Sequence, residues 1–449
     1  MEPSQAAALA AGIRSRVLSR KTETITASQR PYIKDRPATG PVWVSRVNLA
    51  PPTEPDINEA IRRTIDILGD GKGIYDYPTY ATVPAEWVGL RKNVDKTAPE
   101  PDISIREKYD NLVKDTDNDL IMLYVHGGAH YTGSPAASRA VTSRLARLSG
   151  GRCLVIDYRL APQHAFPAPL VDTFVAYLSL LYPPPGSIHS AVLSSNVVLV
   201  GDSIGGATCL SFLQTLLTLN RVKHPSLHFQ GTSVMSPIPL PAALAGISVN
   251  GDVTLSLPDW TRNAPFDMFV SKFGGKRMAA LEPEFPPCEA WPTKPPRGYI
   301  FCDVSMIYHP LVSVTVTRDW TGAPPLYLAS GQEQLRDTVQ IVAQKAVSQG
   351  VKVVWESYEG MVHTWFALFP KLPHSEKLFK TWANFCRRAV AGESFETIAT
   401  ELNVRTLKPT SIDISTMSDV SLDNALGRMI AKSKTMEDYT GKGATKSNL

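Results

Sequence analysis

Short apolar runs recur along the chain: Leu120–Val125 (LIMLYV), Cys153–Ile156, Val197–Val200, Leu326–Ala329 and Val351–Trp355. Continuous runs of this length, bounded by turn residues, suit strands buried on both faces, as in a parallel sheet. Glu86–Arg91 and Ile103–Val113 read as further strands. Helical spacing separates the runs. Leu335, Val339, Val342 and Ala346 share one face, and Gly350 is placed to end that helix. Ser375 is placed to cap a last helix with Leu378, Trp382, Phe385 and Ala389 on its apolar face and Gly392 beyond it. Strands alternating with helices predict a doubly wound α/β sheet.

Two segments break the alternation. Residues 240–320 are rich in Pro and aromatics, with no clean period, and read as an insertion between two strands. Residues 1–85 are Pro-rich and irregular apart from a helical pattern near Ile57–Leu68. The expected organisation is therefore an N-terminal arm (1–85), a first core segment (86–239), the insertion (240–320), a second core segment (321–402) and a polar tail (403–449) with one helix near Leu422–Ile430.

Composition narrows the function. A hydrophobic share of 43% over 449 residues allows a large buried core. A net charge of +4, with no Lys/Arg block, argues against nucleic acid as a partner. Five scattered cysteines with no CxxC pair read as free thiols rather than disulfides or a zinc site. No run is long and apolar enough to span a membrane. The expected address is intracellular and cytoplasmic. The first residues, poor in acids with several Arg and Ser, faintly resemble a mitochondrial transit peptide, and the final Ser-Asn-Leu approximates a peroxisomal signal. An ordinary arm and chance explain both better.

The chemistry starts at GDSIGG, Gly201–Gly206. A serine in a sharp turn between strand and helix is pushed into the cleft at the carboxyl end of the sheet, and Gly201 and Gly205 let strand and helix approach closely. Gly-x-Ser-x-Gly alone is a weak signal; the strand–turn–helix context gives it weight. His126-Gly127-Gly128-Ala129 follows the LIMLYV run, where glycine amides can face a carbonyl oxygen. His363 lies just past the last core strand, where the base for Ser203 should stand; His309 and His374 follow no core strand. The acid belongs after Leu326–Ala329. Glu333 sits in that loop, and Asp337, about one helical turn further on, is the alternative.

Together these residues resemble the hormone-sensitive-lipase-like branch of the α/β-hydrolase esterases. HGGA resembles the family's HGGG, DYRLAPQHAFPAP (Asp157–Pro169) its DYRLAPEHPFPAA, GDSIGG its GDSAGG, EQLRD (Glu333–Asp337) its DPLRD, and YEGMVHTW its YEGMIHGF. The resemblance spans Glu86 to Ala391. It implies an eight-stranded, mostly parallel sheet with helices on both faces, under a cap built from the arm and the insertion. It implies Ser203, Glu333 and His363 as triad, and the amides of Gly127, Gly128 and Ile204 as oxyanion hole, with His126 and Asp157–Pro162 as scaffold. Asp202 would orient the loops or meet substrate. Ala129 and Glu333 depart from the family pattern: the first narrows the acyl side, and the second moves the carboxylate outward by about one bond.

The insertion holds Trp260, Phe266, Met268, Phe269, Phe273, Trp291, Tyr299, Phe301 and Tyr308. These rings either face a bulky apolar substrate or form the cap's own core. Trp365, just after His363, lines the cleft or packs beneath it. The expected function is a serine carboxylesterase acting through an acyl-enzyme on a small or medium apolar ester, with no metal or cofactor. The alternative is a non-hydrolytic enzyme on the same scaffold, an acyltransferase, a lactonising or cyclising enzyme, or a dehydratase. A hydrolase-like receptor, as in plant gibberellin receptors that resemble the family but lack its histidine, is disfavoured by His363. Homodimerisation is left open.

Overall fold

The structure, a computed structural model, describes residues 23–269 and 285–436, with individual positions between 5 and 15. The Ser-Asn-Leu terminus, most of the first 22 residues and Phe273 lie outside the described residues.

One ten-stranded sheet organises the chain, in the order β1 (Val42–Leu49), β2 (Val83–Leu90), β4 (Arg152–Ile156), β3 (Ile121–Val125), β5 (Val197–Asp202), β8 (Ala243–Ile247), β9 (Leu326–Gly331), β10 (Val353–Tyr358), β11 (Ile398–Leu402) and β12 (Pro409–Ser411). β6 (Leu227–Phe229) and β7 (Thr232–Val234) form a separate hairpin. From β4 to β11 all pairings are parallel, and β1, β2 and β12 join antiparallel.

The apolar runs form strands for the anticipated reason. In β3, Ile121, Leu123 and Val125 face one core while Met122 and Tyr124 face the other. β5 divides likewise, Val197 and Leu199 against Val198 and Val200. Helices Ala168–Leu181, Ser203–Arg221 and Arg336–Ser348 cover the first face, and Pro135–Ser149 and Pro373–Val390 the second. Gly350, at φ +83°, ends Arg336–Ser348 in the left-handed conformation that glycine tolerates.

Several expectations change. The segment read as a strand at Ile103–Val113 is the helix Ile105–Asp115. Its start is a capping box: Ser104 Oγ accepts the Glu107 N–H at 3.2 Å, and the Ser104 N–H reaches Glu107 Oε2 at 2.9 Å. Ser375 is not a cap, because Pro373 opens that helix and Ser375 Oγ donates to the Phe369 carbonyl. The sheet has ten strands rather than eight. β1, within the segment read as an arm, pairs along β2, and β8, within the segment read as insertion, is a central strand. The described part of the segment read as a polar tail packs on the core: β12 pairs with β11 at the margin of the sheet, and helix Leu422–Ser433 buries Ala425 and Met429 against Leu257, Val316 and Ile341. All five cysteines are free thiols, four buried and Cys288 half-buried. Among the described residues, no helix is long and apolar enough to cross a membrane.

Candidate active site

Ser203 stands where β5 gives way to helix Ser203–Arg221, at φ +50°. Glycine lets this happen. A Cβ on Gly201 would lie 2.6 Å from the Gly205 carbonyl carbon, and one on Gly205 would lie 2.0 Å from the Val125 oxygen. Strand, helix and the end of β3 therefore touch through bare backbone. In an open helix, Gly→Ala gains about 0.5–1 kcal/mol. Here the obstacle is main chain and cannot swing aside, so Gly205→Ala should destabilise by about 1–3 kcal/mol or more. Urea unfolding checks this; an unchanged midpoint would refute the close approach.

Three loops converge on the hydroxyl. His363, in the loop after β10, brings Nε2 to 2.9 Å from Ser203 Oγ. Glu333, in the loop after β9, brings Oε2 to 2.5 Å from His363 Nδ1. The other carboxylate oxygen accepts from Ser330 Oγ at 2.6 Å and the Gly331 N–H at 3.2 Å. Glu333 is fully buried, and His363 and Ser203 are 4% and 9% exposed. Burial alone would lower the pKa of His363. The Glu333 carboxylate outweighs it, with Asp267 and Asp202 adding, and the imidazole is held above its ordinary value.

Asp337 is not brought to the histidine. Its Oδ2 accepts the Asp259 N–H at 2.8 Å, and burial together with the nearby Asp259 charge pushes it up to about 7. Trp365 lies under the site, fully buried against Tyr358 and Phe366, and does not line a cleft. Asp202 is tied to the loops around the elbow: Oδ1 accepts the Tyr124 hydroxyl at 2.6 Å and the Gly127 N–H at 3.1 Å. That contact corrects the expected oxyanion hole, since the Gly127 amide is already occupied. Among the described residues, the N–H groups of Gly128, Ala129 and Ile204 meet no protein acceptor. Behind them, Tyr158 stacks on His126 at 4.4 Å and donates its hydroxyl to the His126 carbonyl at 2.7 Å, so both act as scaffold.

The insertion's rings divide. Trp291, Tyr299 and Phe301 are buried, and Phe301 stacks on His130 at 3.5 Å. Half-buried Phe269 lies 4.8 Å from the His363 ring, and Phe285 stands edge-on to Tyr131 at 5.2 Å. Sequence reasoning missed Asp267, a fully buried carboxylate from the insertion whose Oδ1 accepts the His363 N–H at 2.8 Å. No local motif marks it, because its partners lie 67 and 96 residues away.

The chain is similar to known proteins in sequence and in fold. A family model described as alpha/beta hydrolase fold matches residues 122–256. An acetyl-hydrolase of Streptomyces hygroscopicus is 30% identical over 271 residues, 60% of this chain and 75% of the relative. An esterase of Acinetobacter venetianus is 24% identical over 272 residues, 60% of this chain and 72% of the relative. Among solved structures, an esterase from the bacterial hormone-sensitive lipase family superposes with a TM-score of 0.55 at 23% identity, covering 87% of this chain and all of that one. With the sheet order, the elbow at Ser203 and a relative matched over three-quarters of its length in hand, the chain belongs to the α/β hydrolases.

Proposed function

We propose that the protein is a serine carboxylesterase whose triad is Ser203, His363 and Glu333. The observation that carries the reading is the unbroken line from Ser203 Oγ through the imidazole to Glu333, at 2.9 and 2.5 Å. Relatives named acetyl-hydrolase and esterase support the ester chemistry.

Ser203 Oγ attacks the ester carbonyl carbon while its proton passes to His363 Nε2. Glu333 keeps the other ring proton on Nδ1, which fixes Nε2 as the acceptor, and it steadies the imidazolium that forms. The negative oxygen of the tetrahedral intermediate takes the N–H groups of Gly128, Ala129 and Ile204, at the positive end of helix Ser203–Arg221. As the carbonyl re-forms, the C–O bond to the alcohol breaks, and the alcohol leaves with the proton from Nε2. Water, deprotonated by the same nitrogen, then attacks the acyl-enzyme and releases the carboxylic acid and free Ser203.

Phe269 beside His363 gives an apolar wall to the reacting centre, which favours an apolar ester. The acyl side is expected to be narrow, because Ala129 carries a methyl beside the amides proposed to hold the oxyanion. A panel of p-nitrophenyl esters graded from acetyl to dodecanoyl should give its highest kcat/KM at short acyl chains and fall by 10-fold or more at the long end. A panel with no turnover at any length refutes the esterase reading; a maximum at dodecanoyl refutes the short acyl site.

A further inference from the structure

We propose that Asp267 is a positioning residue for the hydrolysis: one carboxylate that locks the histidine loop and the acid loop to each other. The proposal rests on the triad reading above. Asp267 follows the short helical turn Ala264–Phe266 in the insertion and is fully buried. Oδ1 accepts the backbone N–H of His363 at 2.8 Å and that of Met268 at 2.7 Å. Oδ2 accepts the backbone N–H of Gln334, the residue after Glu333, at 2.7 Å. The two loops leave different strands, β10 and β9, yet they must hold Nδ1 and Oε2 at 2.5 Å. A planar carboxylate with one oxygen on each loop fixes that spacing. A second tie comes from Asn263, whose Nδ2 donates to the Glu333 carbonyl at 2.9 Å.

The charge has a use beyond the brace. Backbone amides alone can be satisfied by neutral acceptors, and a buried carboxylate next to another carboxylate is costly. The ionisable groups acting on Asp267 are Glu333, which raises its pKa, and His363, which lowers it; burial is the largest influence, and the group is pushed up to about 6. Arg14 Nη1 donates to its main-chain carbonyl at 2.9 Å, not to the carboxylate. His363 in turn faces Glu333, Asp267 and, from the elbow, Asp202. A negative Asp267 therefore favours the imidazolium that forms when Ser203 gives up its proton. Its effect on rate passes through His363 and Glu333, and it touches neither substrate nor the reacting atoms.

Asp267→Asn in the full-length chain tests this. Asparagine keeps the size and one acceptor oxygen but turns an NH2 toward the amide donors on one side, either Gln334 or His363 and Met268, and it removes the charge. With a p-nitrophenyl ester, kcat should fall about 10- to 100-fold with KM within about two-fold. Wild-type kcat should rise with pH through an apparent pKa above the ordinary 6.5 of histidine, because His363 is raised. In the variant that acid limb should move to lower pH, since a lost negative charge makes the imidazole easier to deprotonate. The rate of Ser203 phosphonylation by a fluorophosphonate should fall in parallel. An acid limb that stays in place overturns the proposal whether or not kcat drops, as does a loss confined to KM. Asp267→Ala is the second variant; should it fail to fold by circular dichroism, Asp267→Asn decides alone. If the wild type turns over no ester, it is the esterase reading that has failed, and the phosphonylation rates still read the effect of Asp267 on Ser203.

Discussion

Ser203→Ala should leave a folded protein whose kcat on p-nitrophenyl esters is lower by about 10⁵- to 10⁶-fold, the size of loss seen when a triad member that acts as part of a unit is removed. The substitution deletes only Oγ. The left-handed φ of +50° is already strained for any residue with a Cβ, so alanine adds little strain of its own, and the surrounding glycine contacts are untouched. The amides of Gly128, Ala129 and Ile204 remain, so a residual rate above that in water should persist. Steady-state kinetics and a fluorophosphonate label located by mass spectrometry check the result. Activity within 100-fold of wild type, or a label at another residue, would remove Ser203 from its assigned role.

Glu333→Gln should lower kcat by about 10⁴-fold with little change in structure. Oε1 accepts from Ser330 Oγ and the Gly331 N–H, two donors that the amide oxygen of glutamine satisfies equally well. That choice turns the NH2 group onto His363 Nδ1. The ring then carries its proton on Nε2, which points at Ser203 and can no longer take the serine's proton. Asp337→Asn is the comparison: its carboxylate receives the Asp259 amide and makes no contact with the imidazole, so kcat should stay within a few-fold. If the two variants exchanged places, the acid would have been assigned to the wrong carboxylate.

The sequence made the core legible where one physical cause dominated. β3, β5, β9 and β10 bury both faces, so their apolar runs need no partner to be recognised. The elbow and both loops that meet it lie beside such strands, which is why Ser203, His363 and Glu333 could be named from spacing. The misses share a different cause. β11 reads Ile-Ala-Thr-Glu-Leu, with only Ala399 and Leu402 buried and Ile398 exposed, and β12 is exposed throughout; neither carries a continuous apolar run. Helix Ile105–Asp115 was hidden by Ile103, Ile105 and Val113, although Ser104 and Glu107 held the signal for a cap. Gly127 looked like an oxyanion donor because the sequence does not show that Asp202 folds back to take its amide. Asp267 was invisible because its meaning lies wholly in two amides far along the chain.

β11 and β12 also bear on self-association. Without them β10 would be the margin of the sheet, a row of free amides and carbonyls onto which a second copy could add its own strand. The chain fills that place itself, and β12, only three residues long and opened by Pro409, is a poor template for further growth. Two protomers that associate must therefore meet elsewhere on the surface rather than by running their sheets together across β10.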